Sequence, residues 1–328
     1  MNFLKQKYSS KFVLFASIVF LLASFMVLFF SRNRVITASL DLSFSTTPTP
    51  YPLPTQVYES PSYFITIFGQ VFGKKELFPN PAQIIDNGQR QAGNVYLDLY
   101  SENNFLPVDV RWWQQESQLV YEYVSKRLGT TNSEKAIVIF APPQSRNCAP
   151  RGTTFHEQQP VVMIFADQDA SKGQILAVLA HELGHVFIHQ KYKDLNDITL
   201  IEGMATWAAG DYWKVWKGAD FNSDVRAFID RGTYLPLVQN YYLEKAYDDN
   251  SPDCIIHRDI LLTEMASFLD FLIQNYGAES LSSLLDTKPP GLADGQRVVY
   301  PPNFKGVYGS EFNQLEYEWL EFLLQPSQ

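Results

Sequence analysis

The chain has 328 residues, 46% of them hydrophobic and 15% aromatic, with a formal net charge of −9 and a pI of about 5.1. So apolar a composition excludes whole-chain disorder, and the acidic balance argues against nucleic acid as the main partner, because phosphate binding needs a basic face. Two cysteines, Cys148 and Cys254, exclude a four-cysteine metal cluster and a disulfide-dense scaffold; they leave open one disulfide or two buried thiols.

Residues 1–11 read as a short cytoplasmic tail. Phe12 to Phe30 run without a charge, long enough at about 1.5 Å per residue to cross a hydrocarbon core of roughly 30 Å. Lys5, Lys7 and Lys11 precede this run and Arg32 and Arg34 follow it, so the positive-inside rule keeps the N-terminus in the cytoplasm and places the rest outside. The run exceeds the usual signal-peptide core and no clear A-x-A site follows, which favours an uncleaved transmembrane anchor. Residues 31–62 form a Pro/Thr-rich linker, densest from Ser45 to Thr55 and expected to be extended. Residues 63–328 have a globular pattern without internal repeats. No Asn-Xaa-Ser/Thr acceptor occurs, which fits a bacterial cell membrane as the location.

Within the globular part, Tyr63–Phe68 and Val95–Tyr100 have the composition of strands. Residues 109–128 have helical periodicity and stop at Gly129. Ala136–Phe140 and Val161–Phe165 are short apolar runs expected to be buried strands, with a polar loop containing Cys148 between them. Asp169-Ala170-Ser171 can cap a helix over about 172–190. Further helices are expected at about 199–216, 223–231, 258–276 and 310–324. The class is α+β: a small mixed sheet and its helices in front, a helical C-terminal half behind.

The chemistry concentrates in His181-Glu182-Leu183-Gly184-His185. On a helix, positions i and i+4 share a face, so His181 and His185 can meet one metal ion. Glu182 lies about 100° round the helix, badly placed as a ligand but well placed to hold a water beside the ion as general base. Gly184 lets a metal, a substrate or another backbone come close. An extension to HExxHxxGxxH fails, because position 188 is Ile and position 191 is Lys. His189 lies a further turn on and reads as surface or as a supporting residue. Glu202, on the next helix among the small residues Gly203, Ala205, Ala208 and Ala209, is the third-ligand candidate, since small residues allow helices to pack closely. Thr206, one turn on, can orient a histidine or simply pack.

These residues resemble the gluzincins, the thermolysin-like zinc peptidases, and among them the bacterial peptidase-MA-like domains. The match is specific at His181, Glu182, His185 and the EGxA form around Glu202, and looser over Glu264–Leu272, Tyr276-Gly277 and Phe312–Leu323. The resemblance implies a zincin-like fold with an active-site helix and a Zn²⁺ ion held by His181, His185 and Glu202. It further implies a peptide or protein substrate hydrolysed with Glu182 as general base. It also implies an oxyanion-steadying tyrosine or histidine near position 262, where the chain has Leu262. His257 is the nearest donor, with Tyr247 and Tyr242 before it. Val161–Phe165 is the candidate edge strand for binding an extended substrate. Two other readings stay open: a weakly active or inactive membrane-tethered zinc-binding protein, and a zinc hydrolase acting on a non-peptide amide. Oligomeric state is not legible.

Overall fold

The computed structural model describes residues 79–325 apart from 88–89, 132–133, 157–158, 193–194, 196, 239–245, 247, 249 and 287–301. All of these belong to the unit Gln56–Gln328. Five strands form one mixed sheet: β1 (Arg90–Gly93), β2 (Leu97–Ser101), β3 (Ala136–Ala141), β4 (Gly152–His156) and β5 (Pro160–Phe165), in the order β1-β2-β3-β5-β4. The central strands β2, β3 and β5 are parallel, and β1 and β4 close the two edges antiparallel. The apolar runs of β3 and β5 follow from this position, because a central strand is covered on both faces. Val138, Phe140, Val162 and Ile164 enter the main core. Ile137, Ile139, Val161, Met163 and Phe165 pack on the other face with Ile84.

The helices are α1 (Pro81–Asp86), α2 (Val110–Leu128), α3 (Lys172–Lys191), α4 (Ile198–Lys217), α5 (Phe221–Arg231), α6 (Cys254–Tyr276), α7 (Ala278–Leu285), α8 (Phe304–Tyr308) and α9 (Phe312–Leu324). The side chains of Asp109, Ser171 and Asp197 accept the first free backbone N–H groups of α2, α3 and α4, which is why these helices begin where the caps stand. Gly129 and Gly218 end α2 and α4 in the left-handed region. The architecture is mixed α+β, a small sheet followed by a helical half, as the composition of the segments implies.

Helix α4 lies between α3 and α6, and glycines set how close it comes. A Cβ on Gly184 would lie 2.8 Å from the Cα of Ala205, and one on Gly203 would lie 3.0 Å from the carbonyl oxygen of Met265. Both pairs of helices therefore touch backbone to backbone, closer than any side chain allows. Cys148 and Cys254 form a disulfide, with Cα atoms 5.8 Å apart, that ties the loop before β4 to the start of α6.

Several expectations need correction. Among the described residues no helix is long and apolar enough to cross a membrane. The longest, α3, α4 and α6, bury His, Glu and Arg side chains among their apolar ones within the protein core. The transmembrane anchor expected over residues 12–30 and the linker over 31–62 lie outside the described residues, as does the strand expected at 63–68. The placement as a single-pass membrane protein with an extracytoplasmic domain is accordingly withdrawn. The strand Val161–Phe165 is not the edge: β5 lies between β3 and β4, and the edge is Gly152–His156, inside the segment expected to be a polar loop. Helix α6 begins at Cys254 rather than near 258, so His257 stands in its first turn rather than ahead of it.

Candidate metal centre

His181 and His185 stand one turn apart on α3, and Glu202 reaches them from the first half of α4. The Nε2 atoms of the two histidines are 3.0 Å apart, and Glu202 Oε2 lies 3.2 Å from His181 Nε2 and 3.6 Å from His185 Nε2. All three side chains are buried, and together they can hold a metal ion. The spacing can be tested against the bond lengths of a small divalent ion. Four tetrahedral ligands at about 2.0–2.1 Å stand about 3.3 Å from one another; the observed separations straddle that value. The donor chemistry agrees. With its proton on Nδ1, 3.1 Å from the hydroxyl oxygen of Thr206, His181 presents an Nε2 lone pair to the same point as its neighbour and the carboxylate. Two imidazole nitrogens and a carboxylate facing inward without an ion would require a shared proton.

The electrostatics describe that proton. Burial pushes the Glu202 carboxyl up, but the charges of His185 and His181 and the hydrogen bonds from both outweigh it and hold the group below the usual carboxylate range. Burial likewise pushes His181 down, and the hydrogen bond and charge of Glu202, with the charge of Glu182, more than reverse it. Glu202 is thus ready to be an anion beside a cation, which a metal ion satisfies better than a proton.

Glu182 turns away from the three ligand atoms towards β4. Its Oε2 lies 2.7 Å from the hydroxyl of Thr154, which is also 3.1 Å from its backbone carbonyl. A Cβ on Gly152 would lie 2.6 Å from Glu182 Oε1. The first residue of β4 is therefore a glycine because the carboxylate rests against it. Burial raises the Glu182 carboxyl above its ordinary value, against the charges of His185 and His181 and the Thr154 hydrogen bond, while the charge of Glu202 adds to the rise. Such a carboxylate takes up a proton more readily than an exposed one.

The four residues open on a cavity of about 80 Å³, whose lining also includes Thr154, Trp213, Trp216, Arg258 and Leu262. Of the residues expected from sequence, His181, Glu182, His185 and Glu202 come together around it, and Thr206 holds His181. His189 does not join them: it is exposed and stacks on His156, ring centroids 3.9 Å apart. Burial, with the charges of His189 and His185, pushes His156 down to about 3. His257 is half-buried and is not part of the cavity lining, whereas its neighbour Arg258 is. Tyr242 and Tyr247 lie outside the described residues. Leu262 does face the cavity, so the side chain present there is apolar.

Sequence reasoning missed Gly152, Thr154 and Arg258. Gly152-Thr153-Thr154 had a usable signal, a glycine leading into two β-branched residues. Arg258 had none beyond lying one residue from a position under consideration. The chain matches no protein-family model and no curated protein.

Proposed function

We propose that the chain is a zinc-dependent peptidase of the gluzincin type. One observation carries this reading: two imidazoles and a carboxylate converge with near-tetrahedral spacing, and a separately held carboxylate, Glu182, stands beside them in the same cavity. A purely structural zinc site has four protein ligands and no use for a general base. Three ligands of this kind leave one open position, and the mixed nitrogen and oxygen set suits zinc.

His181, His185 and Glu202 would hold the ion, and Thr206, beside Nδ1, leaves Nε2 of His181 free to face it. A zinc ion bound there would supply a water of lowered pKa and would polarise the scissile carbonyl. Glu182 takes the proton of the attacking water and delivers it to the leaving amine. Thr154 and Gly152 keep that carboxylate on the cavity side of α3 while it does so. The substrate backbone pairs with β4, the edge strand whose residues 152–154 line the cavity.

One observation favours a second reading, a metal-binding protein with little catalysis: Leu262 offers no donor where the resemblance implies a tyrosine. Cleavage of a mixed peptide library by the zinc-loaded chain separates the two. Cleavage that falls at least about 10³-fold in Glu182→Gln, with zinc content unchanged, is expected of a lost general base together with its positioning. Equal cleavage by that variant, or none by the unsubstituted chain, overturns the peptidase reading.

A further inference from the structure

The metal centre lies behind walls that leave little room. His181, Glu182, His185 and Glu202 are all buried, and the cavity beside them measures about 80 Å³. Sites that take organic ligands hold about 300–1,000 Å³, so a peptide reaches the centre only when a wall moves. Most of the walls are fastened. Strand β4 pairs with β5 along its length, and the Cys148–Cys254 disulfide ties the loop ahead of it to α6. The first half of α4 meets α3 backbone to backbone at Gly184 and Ala205, and meets α6 in the same way at Gly203 and Met265.

One wall is different. Trp213 and Trp216, which line the cavity, lie in the second half of α4, beyond a break. Gly210 has φ 43° and ψ −113°, a conformation that glycine adopts and residues with a Cβ rarely do. In an unbroken helix the Asp211 N–H donates to the Trp207 carbonyl. Here it donates to the hydroxyl of Tyr123 at 2.8 Å, and that carbonyl accepts from Arg127 Nη2 at 3.0 Å. Helix α2 thus serves both sides of the opened turn. A second glycine of positive φ, Gly218, ends the segment. Between the two, residues 211–217 have solvent on one side, where Asp211, Lys214 and Val215 are exposed, and the cavity on the other. They pack on α3 less tightly than the first half does: a Cβ on Gly173 would lie 3.5 Å from Val215 Cγ1, an ordinary contact, against 2.8 Å at Gly184. The far end is held by Lys217, whose ammonium lies 2.8 Å from Asp259 on α6 and 3.8 Å from the centroid of the Trp216 ring. The indole N–H of Trp213 is buried with no hydrogen-bond partner among the described residues, a cost of this arrangement that opening relieves.

From this we infer that residues 211–217 are a lid, hinged at Gly210 and latched at Asp259, which swings out to admit a peptide and closes its two indoles on it. Glu202 and Thr206 precede the hinge, so the metal centre stays whole while the lid moves. The inference rests on the peptidase reading for the nature of what enters.

The test measures, by stopped-flow tryptophan fluorescence, how fast two hydroxamates associate with the zinc-loaded full chain. Acetohydroxamate is small enough for the closed cavity; N-acetyl-alanyl-leucine hydroxamate needs the lid open. Gly173→Cys with Val215→Cys sets two sulfurs within disulfide reach across α3 and the lid. Oxidation of that pair is expected to slow the dipeptide probe about tenfold or more and leave acetohydroxamate unchanged, with recovery on reduction by a phosphine. Gly173→Cys alone, treated alike, controls for the native disulfide. An unchanged dipeptide rate, or an equal slowing of both probes, overturns the lid. Where the staple does not form, Lys217→Met decides: the dipeptide probe is expected to associate about threefold or more faster once the latch is gone, and an unchanged or slower rate overturns the lid. Cleavage of the peptide library by the unsubstituted chain is scored separately. A staple-sensitive rate without cleavage breaks only the peptidase reading, and cleavage with a staple-insensitive rate breaks only the lid. If neither hydroxamate binds, the metal centre fails and the lid with it.

Discussion

Gly184 is not a metal-ligand candidate, but it sets how closely α4 packs on the motif helix. Replacing it with alanine adds one carbon 2.8 Å from the Cα of Ala205, 3.1 Å from its carbonyl oxygen and 3.2 Å from its Cβ. Ordinary carbon contacts lie at about 3.5–4.0 Å, so α3 and α4 must part by about 1 Å. The obstacle is helix backbone, which cannot swing aside as a long side chain can. Overpacking of this kind costs about 1–3 kcal/mol. Alanine is otherwise the better helix former by about 1 kcal/mol, so the net loss of stability is expected to be about 0–2 kcal/mol.

The larger effect falls on the metal. Glu202 sits three residues before Ala205 on the helix that moves, whereas His181 and His185 stay on the other. A displacement of about 1 Å exceeds the roughly 0.2 Å within which ligand distances are held. Zinc affinity of Gly184→Ala is expected to fall about 10–100-fold, the size seen when supporting residues are disturbed. Calorimetric titration of the metal-free protein with zinc measures it, with thermal unfolding alongside. A variant that binds zinc as the unsubstituted chain does and also melts higher would refute the backbone contact between α3 and α4.

Thr206→Val removes the partner of His181 Nδ1 and is expected to weaken zinc binding about 10–100-fold; Thr206→Ser should restore most of it in a competition titration. Glu264 supplies a test at a buried carboxyl outside the group of metal-ligand candidates. It is fully buried; Oε1 accepts from the backbone N–H of Leu235 at 3.0 Å, and Oε2 has no hydrogen-bond partner among the described residues. Burial raises its carboxyl well above the usual range; the Leu235 bond opposes the shift and the nearby Glu316 adds to it. The folded chain therefore keeps a proton that the unfolded chain releases above about pH 4.3, so stability falls as pH climbs from there through the raised folded value. Glu264→Gln removes that slope. Its melting temperature relative to the unsubstituted chain should improve between pH 5 and pH 8, and a constant difference across that range would contradict the argument.

The parts of the fold that were legible are those set by short-range chemistry. Caps at Asp109, Ser171 and Asp197 and stops at Gly129 and Gly218 bound the long helices within a residue or two of where the sequence pattern puts them. The spacing of His181 and His185 is helix geometry, and the small residues around Glu202 announce a close crossing. What was not legible depends on partners distant in the chain. Strand β4 has five residues and no apolar run; only its pairing with β5 makes it an edge. Cys148 and Cys254 are 106 residues apart, and the fold alone brings them together. Nothing in the sequence marks Arg258, since arginines are mostly exposed. It is buried because α6 begins at Cys254 and because the loop before β4 offers it two carbonyl groups.

Metal content tests the centre most directly. The purified chain, loaded with zinc and desalted, is analysed by elemental mass spectrometry beside His185→Ala and Glu202→Ala. About one zinc per chain is expected, falling to near zero in both variants, because two ligands cannot hold an ion that three bind in an open site. An unchanged equivalent of zinc in either variant would contradict the assignment of His181, His185 and Glu202 as the metal site.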